Sequence, residues 1–394
     1  MSNETMIPQL RFEGFSGEWL LRELGELVSI TTGKLDANAM KENGQYDFYT
    51  SGIQKYKIDV AAFEGPAITI AGNGATVGYM HYADGKFNAY QRTYVLTDFK
   101  ATRSFLFSSI SLALPRKIHQ EARTGSIPYI VRSMLTELAI RLPSSSKEQT
   151  KIGELFQKLD RAIELQQQKV EQSERYKKAM LQKMFPQKGE KVPRVRFEGF
   201  SGDWERGLLG DLMDVTSVRR IHQADWTEEG VRFLRARDIV AFKNRVEVTE
   251  PLYISNERYE EYSKTTGKVE VGHLLVTGVG TIGVSMLIEN DNPLYFKDGN
   301  VIWFKNNILN GYFFNHSFSG VAIQNFIKVN AGTGTVGTYT IDSGKKTPIK
   351  YPSFEEQEKI GNFFQKLDQN IGSEKKKLEQ YQTMKRAMLQ RMFV

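Results

Sequence analysis

Apolar residues recur at helical spacing in two long stretches of the chain, residues 148–185 and 356–393. Most of these positions lie three, four or seven residues apart, so each stretch predicts an amphipathic helix with one apolar stripe. The stripe of the first stretch consists of Ile152, Leu155, Phe156, Leu159, Ile163, Val170, Met180, Leu181 and Met184. The spacing is close to a coiled-coil heptad, and a stripe of this length needs a partner that covers it.

The same start signal precedes each stretch. Ser145 and Ser353 are followed three residues later by Glu148 and Glu356, which is the sequence of a capping box. In that arrangement the serine oxygen accepts a hydrogen bond from a backbone N–H of the first turn, and the glutamate reaches back to the N-cap N–H. Both predicted helices contain glycines that each reduce helix propensity by about 1 kcal/mol; these are Gly153, Gly361 and Gly372.

The two stretches are copies of one another. They align without a gap at an offset of 208 residues, with 21 of 38 positions identical. A second repeat, IPQLRFEGFSGEW at 7–19 and VPRVRFEGFSGDW at 192–204, has an offset of 185. The chain therefore consists of two copies of one unit, a globular domain followed by a long helix. The predicted segments are a first domain at 1–145, a first spacer helix at 146–185, a linker at 186–194, a second domain at 195–352 and a second spacer helix at 353–394.

The short linker restricts how these parts can be arranged. A helix of 38 residues is about 57 Å long, whereas the linker at 186–194 spans roughly 30 Å at most. If the helices cover each other, the second must therefore run antiparallel to the first, with the two domains held apart as in an isologous dimer. The alternative is that each helix forms a coiled coil with another protein.

Between the repeats, short β-branched and aromatic runs broken by Gly, Asn and Asp predict strands. The candidates are Leu27–Thr31, Ala67–Ala71, Thr93–Thr97, Leu274–Thr277, Ser285–Ile288 and Val301–Phe304. Residues 102–114 and 309–327 have a composition typical of helices. The predicted fold class is α+β, with two pseudo-repeated mixed α/β globular domains separated by an antiparallel two-helix coiled coil. The second domain is the longer by 23 residues, the difference between the two offsets.

Motifs that would indicate an enzyme are weak or missing from the sequence. Residues 278–283, GVGTIG, fit the GxGxxG pattern and follow a predicted strand, but a dinucleotide site also needs a helix to begin there. The residues that follow read as strand and turn, so a β-turn is the preferred interpretation over a cofactor site. No GxxxxGK[ST] loop occurs, and the five histidines show no metal-like spacing. We therefore expect a non-catalytic protein without its own cofactor or metal. A cryptic enzyme is an alternative to this expectation.

The charge of the chain suggests a polyanionic partner. The net charge is +7 and the isoelectric point about 9.2. The excess lies mostly on the predicted helices, because 146–185 carries 9 basic and 6 acidic side chains while 1–145 carries 15 and 14. A nucleic-acid surface on the domains must therefore be local, built from Arg and Lys for phosphates and guanine and from Asn and Gln for adenine. The DNA-binding candidates are Arg116, Lys117, His119, Arg123, Arg219, Arg220, Arg235, Arg237, Lys243, Arg245, Gln324, Asn325 and Lys328.

The sequence also indicates a compartment. It contains no cysteine, which fits a reducing cytoplasm. The first residues, MSNETMIPQL, lack the apolar core of a signal peptide, and no apolar run approaches the roughly 18 residues of a membrane span. We therefore expect a cytoplasmic protein that does not enter a membrane.

Four motifs together resemble type I restriction–modification specificity subunits. They are the P-S-x-x-x-Q-x-x-I-x-x-F-x-x-x-L-D-x-x-I helix start at 352–371, repeated at 144–163 with Ser144 and Leu155 in place of the proline and phenylalanine, the W-x-x-x-x-L-G-x-L opening at Trp19–Leu27 and Trp204–Leu212, VRFLRARDI at 231–239, and LLVTGVGTIG at 274–283. The resemblance covers essentially the whole chain, including the order domain, helix, domain, helix. The first domain departs from it, because YDFYTSGIQ at 46–54 stands where the second has RFLRARDI, and Pro128 corresponds to Gly337.

The resemblance implies a function in DNA recognition. Each domain would be a target recognition domain that reads one half of a split sequence in double-stranded DNA. The helices would set the spacing and dock two methyltransferase subunits, which bind S-adenosylmethionine and methylate adenine. Restriction subunits, which use ATP and Mg²⁺, would complete the complex. A different reading of the chain is a non-catalytic coiled-coil scaffold whose two domains bind protein or other ligands.

The matching ends of the two helices, AMLQKMF and AMLQRMF, are candidate docking surfaces for those partners, since methionine adapts well at interfaces. Packing of the helix ends within the chain is an equally good interpretation. The residues concerned are Met180, Met184, Phe185, Met388, Met392 and Phe393.

Overall fold

Residues 7–121, 128–244, 246–331 and 337–393 are described by the computed structural model. The chain divides into two units, one made of residues 1–168 and 376–394 and the other of residues 169–375. We call these the first unit and the second unit. Each contains one of the repeated domains together with part of both long helices.

The first unit is rich in short strands. They are β1 (Leu20–Glu23), β2 (Ser29–Thr32), β3 (Tyr46–Tyr49), β4 (Lys55–Ile58), β5 (Phe63–Glu64), β6 (Ala67–Ala71), β7 (Met80–Ala83), β8 (Lys86–Ala89), β9 (Thr93–Thr97) and β10 (Ala139–Leu142). Its shorter helices are α1 (Leu24–Leu27), α2 (Arg103–Glu121) and α3 (Arg132–Thr136), with a 3₁₀ turn at Ala37–Ala39. The first long helix, α4 (Ser146–Lys183), begins in this unit.

Two four-stranded sheets and one ribbon organise these strands. One sheet has the antiparallel order β2-β9-β6-β7, and the other has the order β4-β3-β8-β5 with β3 and β8 parallel. The ribbon pairs β1 with β10. The first sheet packs with α2 over a core that includes Ile68, Ile70, Leu96, Phe105 and Ile110. Its central strands, β6 and β9, are buried on both faces, which explains their continuous apolar sequences.

The second unit repeats this frame. Its strands are β11 (Glu205–Leu208), β12 (Asp214–Thr216), β13 (Trp226–Thr227), β14 (Val231–Leu234), β15 (Leu252–Ile254), β16 (Leu274–Thr277), β17 (Ser285–Leu287), β18 (Leu294–Phe296), β19 (Val301–Lys305) and β20 (Pro348–Tyr351). Its helices are α5 (Leu209–Leu212), α6 (Ala236–Asn244), α7 (Asn256–Thr266), α8 (Gly311–Phe318), α9 (Val321–Asn330) and α10 (Ile341–Lys345), with a 3₁₀ turn at Gln223–Asp225. The second long helix is α11 (Phe354–Met392).

The antiparallel sheets of the two units match strand by strand, whereas the mixed sheets share three strands and carry their fourth on opposite edges, β5 beside β8 and β13 beside β15. The antiparallel sheet has the order β12-β19-β16-β17, and the mixed sheet has the order β13-β15-β14-β18 with β14 and β18 parallel. The ribbon pairs β11 with β20. The extra length of the second unit falls mainly in two places. Helix α6 lies between β14 and β15, where the first unit has only residues 50–54, and α7 lies between β15 and β16.

The two long helices pair antiparallel within each unit. In the first unit, Lys385 of α11 lies 2.5 Å from Asp160 of α4. In the second unit, the ammonium group of Lys177 in α4 hydrogen-bonds Asp368 of α11. These two ion pairs are equivalent at the 208-residue offset. The prediction that the helices cover each other is therefore confirmed in both units.

Each long helix starts at the predicted residue. The glutamate of its predicted capping box, however, binds an arginine and not the N-cap N–H. The helices begin at Ser146 and Phe354, directly after the predicted capping serines. The backbone N–H of Glu148 lies 3.4 Å from the Ser145 hydroxyl. The Glu148 carboxylate itself accepts two hydrogen bonds from Arg11, at 2.6 and 2.8 Å, and Glu356 accepts the same pair from Arg196.

The arginine and glutamate of each pair connect the two repeated motifs of one copy. Arg11 also donates to the carbonyl oxygens of Ser16 and Gly17, which closes the turn of the RFEGFSG segment. Arg196 makes the corresponding bonds to Ser201 and Gly202. Both glutamates are fully buried, so the arginines supply the charge that this burial requires. The shared sequence RFEGFSG therefore fixes the start of a long helix to its domain.

Most predicted strands agree with the structure, and no helix within the described ranges is long and apolar enough to span a bilayer. The prediction of strand from Leu27 was wrong at its start, because Leu27 ends α1 and β2 begins at Ser29. The helical segment at 309–327 is two helices, α8 and α9, that break near Gly320. The equivalent region of the first unit is one helix, α2, which contains Pro115.

Candidate nucleic-acid interface

Three loops meet at the tip of the β6–β7 hairpin in the first unit. The tip, residues 72–79, closes through hydrogen bonds of Ala71 N to Tyr79 O and of Gly78 N to Ala71 O, both 2.8 Å long. Gly74 and Gly78 have φ values of 86° and 84°, which residues with a side chain rarely adopt. The tip is therefore a tight turn that glycine makes possible.

The loop at 50–54 lies against this tip. The Ser51 hydroxyl donates to Asn73 Oδ1 at 2.7 Å, and the Thr76 hydroxyl donates to the Ser51 carbonyl oxygen. His81 Nε2 lies 3.4 Å from the carbonyl oxygen of Gly52. These bonds fix the segment after β3 to the hairpin.

A third loop, at residues 128–131, pairs with the other side of the tip. Gly74 N donates to Pro128 O at 3.2 Å, and Ile130 N donates to Gly72 O at 2.7 Å. The three loops leave large side chains exposed, namely Ile53, Tyr79 and Tyr129. Exposed aromatic and aliphatic groups on a fixed turn can stack on bases or contact the thymine methyl group. Basic residues alone do not indicate this set, and of its members only Tyr79, directly after Gly78 of the turn, has a signal in the sequence.

The basic candidates of the first unit lie on the last turns of α2, beside the same tip. A Cβ at Gly78 would lie 3.0 Å from Ile118 Cδ1, which places this part of the helix against the hairpin. Arg116 and His119 are exposed, whereas Lys117 binds Glu121 at 2.6 Å. Arg123 lies outside the described residues.

The second unit forms the same tip between β16 and β17. Gly283 N donates to Thr277 O at 2.8 Å, and the Thr277 hydroxyl binds Thr281 O at 2.5 Å. Tyr339 N donates to Gly278 O at 2.8 Å, as Ile130 does to Gly72 in the first unit. The GxGxxG segment is thus a turn between two strands, without the helix that a dinucleotide phosphate site needs. Across the described residues, no group of three or more His, Asp or Glu side chains is arranged to hold a metal ion.

Helix α9 carries three candidates along this tip. The side-chain amide of Gln324 donates to the carbonyl oxygens of Gly283 and Phe318, at 3.0 and 2.9 Å, so its N–H donors serve the fold. Asn325 and Lys328 are exposed on the same helix. Of the three, these two have side chains accessible to a ligand.

Helix α6 occupies the position that residues 50–54 have in the first unit, directly after the equivalent strand. It packs against β16 and β17, the two strands of the hairpin. Arg235 and Arg237 lie at its N-terminal end. The structure therefore brings these two arginines to the same part of the frame as the 50–54 loop. Arg245 lies outside the described residues.

Lys243, at the other end of α6, is an exposed residue whose ammonium group has neighbours near the end of α8 and on the long helices. Its ammonium group lies 3.4 Å from the Ser319 hydroxyl, and burial together with nearby Lys177 lowers its pKa. Asp368 of α11 and buried His316 are part of the same cluster. Burial, helped by the two lysines and opposed by Asp368, lowers the pKa of His316 to about 3, so this histidine is neutral at neutral pH. Lys243 therefore interacts electrostatically with residues of both long helices and remains accessible at the surface.

Arg219 and Arg220 form a separate cluster. The Arg219 guanidinium lies 4.1 Å from the centre of the Tyr262 ring in α7, with Glu261 at 3.8 Å. Arg220 pairs with Asp298, after β18, at 2.8 Å. Both side chains are mostly exposed and can still meet a polyanion.

The helix-end residues pack within the chain. Phe393 meets the rings of Trp19 and Phe156 in the first unit, at 5.9 and 5.7 Å. Phe185 makes the equivalent contacts with Trp204 and Phe364 in the second. Among the docking candidates, four are buried and two are partly buried against the same cores; the buried ones are Met184, Phe185, Met392 and Phe393. Their burial agrees with the alternative interpretation, packing of the helix ends within the chain, and docking of a partner there stays a prediction.

Comparison with known proteins agrees with this architecture. Over 155 residues the chain is 40% identical to the EcoDI type I restriction enzyme specificity subunit of Escherichia coli, a match covering 39% of this chain and 34% of that protein. The chain thus spans about a third of the EcoDI protein in this match. Over 387 residues it is 25% identical to a putative type I restriction enzyme specificity subunit of Haemophilus influenzae, covering 93% of this chain and 91% of the other.

A solved structure has the same fold over the whole length. The S subunit of the type I restriction–modification system from M. genitalium superposes with a TM-score of 0.71 at 20% identity, covering 99% of each chain. The family model described as type I restriction modification DNA specificity domain matches residues 16–175 and again 201–382. The protein therefore belongs to this family of DNA specificity subunits and carries the family's domain twice.

Proposed function

We propose that this chain is the DNA-reading subunit of a type I restriction–modification complex and that each unit reads one half of a bipartite target. The observation that carries the proposal is the difference between the two hairpin tips. The frame around each tip is the same, but the segment lying on it is a short loop in one unit and helix α6 in the other. Two domains that recognise different half-sites of a target, which we call words, need a constant frame that carries a variable contact segment.

The residues that we assign to DNA contact differ between the units. In the first unit they are Ile53, Tyr79, Tyr129, Arg116 and His119, around the β6–β7 tip. In the second unit they are Asn325 and Lys328 on α9, beside the β16–β17 tip, and Arg237 on α6, which packs against the two strands of that hairpin. Arg219 and Arg220 are exposed and would contact phosphates. The mixture of aromatic, amide and basic groups suits base edges as well as the backbone.

The partners that we propose are two methyltransferase subunits and the restriction subunits of the same system. S-adenosylmethionine, and ATP with Mg²⁺, would bind to those partners, because the turn at 278–283 does not fit a nucleotide phosphate site. The exposed faces of α4 and α11 are the surfaces repeated twice in the chain, which suits two copies of one partner. We place the complex in the cytoplasm, which suits a chain without cysteine.

The salt dependence of DNA binding tests this function. We expect the DNA affinity of the complex assembled with its methyltransferase subunits to fall steeply between 50 and 200 mM salt, by roughly 10³-fold or more if six or more phosphates are contacted. The affinity is measured by fluorescence anisotropy, with the methyltransferase subunits alone as the control. An affinity that does not change with salt, or that is the same without this chain, would favour a scaffold that binds other ligands.

A further inference from the structure

The first turn of α6 contains a buried carboxylate that holds an arginine in place. Asp238 is only 1% exposed and accepts hydrogen bonds from Arg235 Nε at 3.1 Å and Arg235 Nη2 at 3.2 Å. It also accepts from the Arg235 backbone N–H at 2.8 Å, which caps the start of the helix. The second N–H of Nη2 lies 2.9 Å from the Glu250 carbonyl oxygen.

These contacts use most of the donors that Arg235 could offer to DNA. A bidentate contact with a base needs two neighbouring N–H groups on one edge of the guanidinium group. Nε and Nη2 are both bound to Asp238, and Nη2 is also bound to Glu250. Arg235, with its side chain 21% exposed, therefore serves to fix the helix start.

Arg237, two residues later, is held much more loosely. Its side chain is 56% exposed, and its nearest carboxylate oxygens, on Asp238 and Glu250, lie 3.9 and 3.5 Å away. Neither is a well-formed hydrogen bond. A guanidinium group on the first turn of a helix, with a free edge, is positioned as in helices that read base edges through their N-terminal residues.

We propose that Arg237 reads a guanine in the half of the target recognised by the second unit, and that Asp238 and Arg235 are the residues that position it. This inference rests on the proposed function. The first unit has no counterpart, because its equivalent segment is the loop at 50–54. The Arg237 contact thus accounts for part of the difference between the two words.

Two substitutions at position 237 distinguish a base contact from a phosphate contact. Methylated adenines are mapped for the complex assembled with wild-type chain, Arg237→Ala or Arg237→Lys. In both variants we expect the preference for one G·C pair in the second unit's word to fall about 5- to 150-fold, since a lysine cannot reproduce the bidentate fork. Arg22→Ala, which removes an arginine 52% exposed on β1, is the matched control and should change neither word.

The positioning role is tested with Asp238→Asn. We expect the same loss of preference at the same base pair while the first unit's word is unchanged. Thermal unfolding checks that the Asp238→Asn variant is folded. If that variant does not fold, Arg237→Lys, which changes only a surface residue, still tests the base contact. An unchanged motif in both Arg237 variants overturns the base contact, and an Asp238 variant that is folded yet keeps its preference overturns the positioning role. A wild-type complex without any motif would instead contradict the proposed function.

Discussion

At the scale of single residues, the buried glutamate at the start of each long helix forms an ion pair with an arginine of the other repeated motif, which the sequence did not predict. The capping-box pattern located the start of each helix correctly. It could not show that Glu148 and Glu356 bind arginines more than a hundred positions away, Arg11 and Arg196. Pairing between distant residues depends on the folded topology, which one sequence with two repeats does not specify.

These pairs allow a prediction of local stability. Arg196→Ala leaves the fully buried carboxylate of Glu356 without its cation, and removal of one partner from a buried pair costs about 3–5 kcal/mol. We expect faster amide hydrogen exchange in the second unit, with the first unit protected as before. Arg194→Ala is the matched control, because its pair with Glu190 is exposed and contributes little. Equal effects of the two variants would contradict the importance of burial.

The DNA-contact candidates show where residue-scale reasoning from the sequence was limited. It selected Arg116, which the structure places beside a hairpin tip, and Arg237, on a helix that packs against the strands of the other hairpin; their contact with DNA stays a prediction. It could not separate them from Arg235, whose guanidinium donors are bound to Asp238 and to the Glu250 carbonyl oxygen. The donors that a charged group has available depend on contacts of the folded chain, such as the one with Glu250.

At the scale of elements, the glycines in the long helices have a packing function. From propensity alone, Gly361 is an unfavourable residue in α11. A Cβ at this position would lie 2.4 Å from Asn310 Oδ1 and 3.0 Å from Phe313 N, at the start of α8. Gly153 has the same relation to Ser104 and to the backbone of Phe105 in the first unit. Glycine therefore lets each long helix approach the first turn of its domain's helix.

This contact gives a prediction whose sign differs from that of helix propensity. In an exposed helix, Gly→Ala stabilises by about 1 kcal/mol. We expect Gly361→Ala to destabilise the second unit instead, by roughly 1–3 kcal/mol, since the backbone of α8 must shift. Urea unfolding followed by tryptophan fluorescence measures the change, with exposed Gln369→Ala in α11 as the control. A stabilised Gly361→Ala variant would show that the two helices are not closely packed.

Strands and sheets illustrate what periodicity can predict. Three strands, β6, β9 and β16, have the predicted bounds, because each is a buried apolar run between turn residues. The mixed sheet of each unit was not predicted. Its short edge strands, such as β5 and β13, are two residues long and have no periodicity to detect.

At the scale of the whole molecule, each unit is completed by the end of the helix from the other copy. The end of α4 packs on Trp204 and Phe313 of the second unit, and the end of α11 packs on Trp19 and Phe105 of the first. The sequence repeat correctly indicated two copies of a domain followed by a long helix. It could not show that the end of each long helix packs on the domain of the other copy. The exchange explains why the AMLQ(K/R)MF sequence is repeated so closely.

The central claim is that the two units read separate words of one DNA target. Methylated adenines are mapped in cells that carry this chain with its methyltransferase partner, for the wild type, for Tyr129→Ala and for Arg237→Ala. We expect two short words with an unread gap of fixed length, one word altered only by the first-unit variant and the other only by the second-unit variant. A continuous motif, or two words that change together in either variant, would contradict the account.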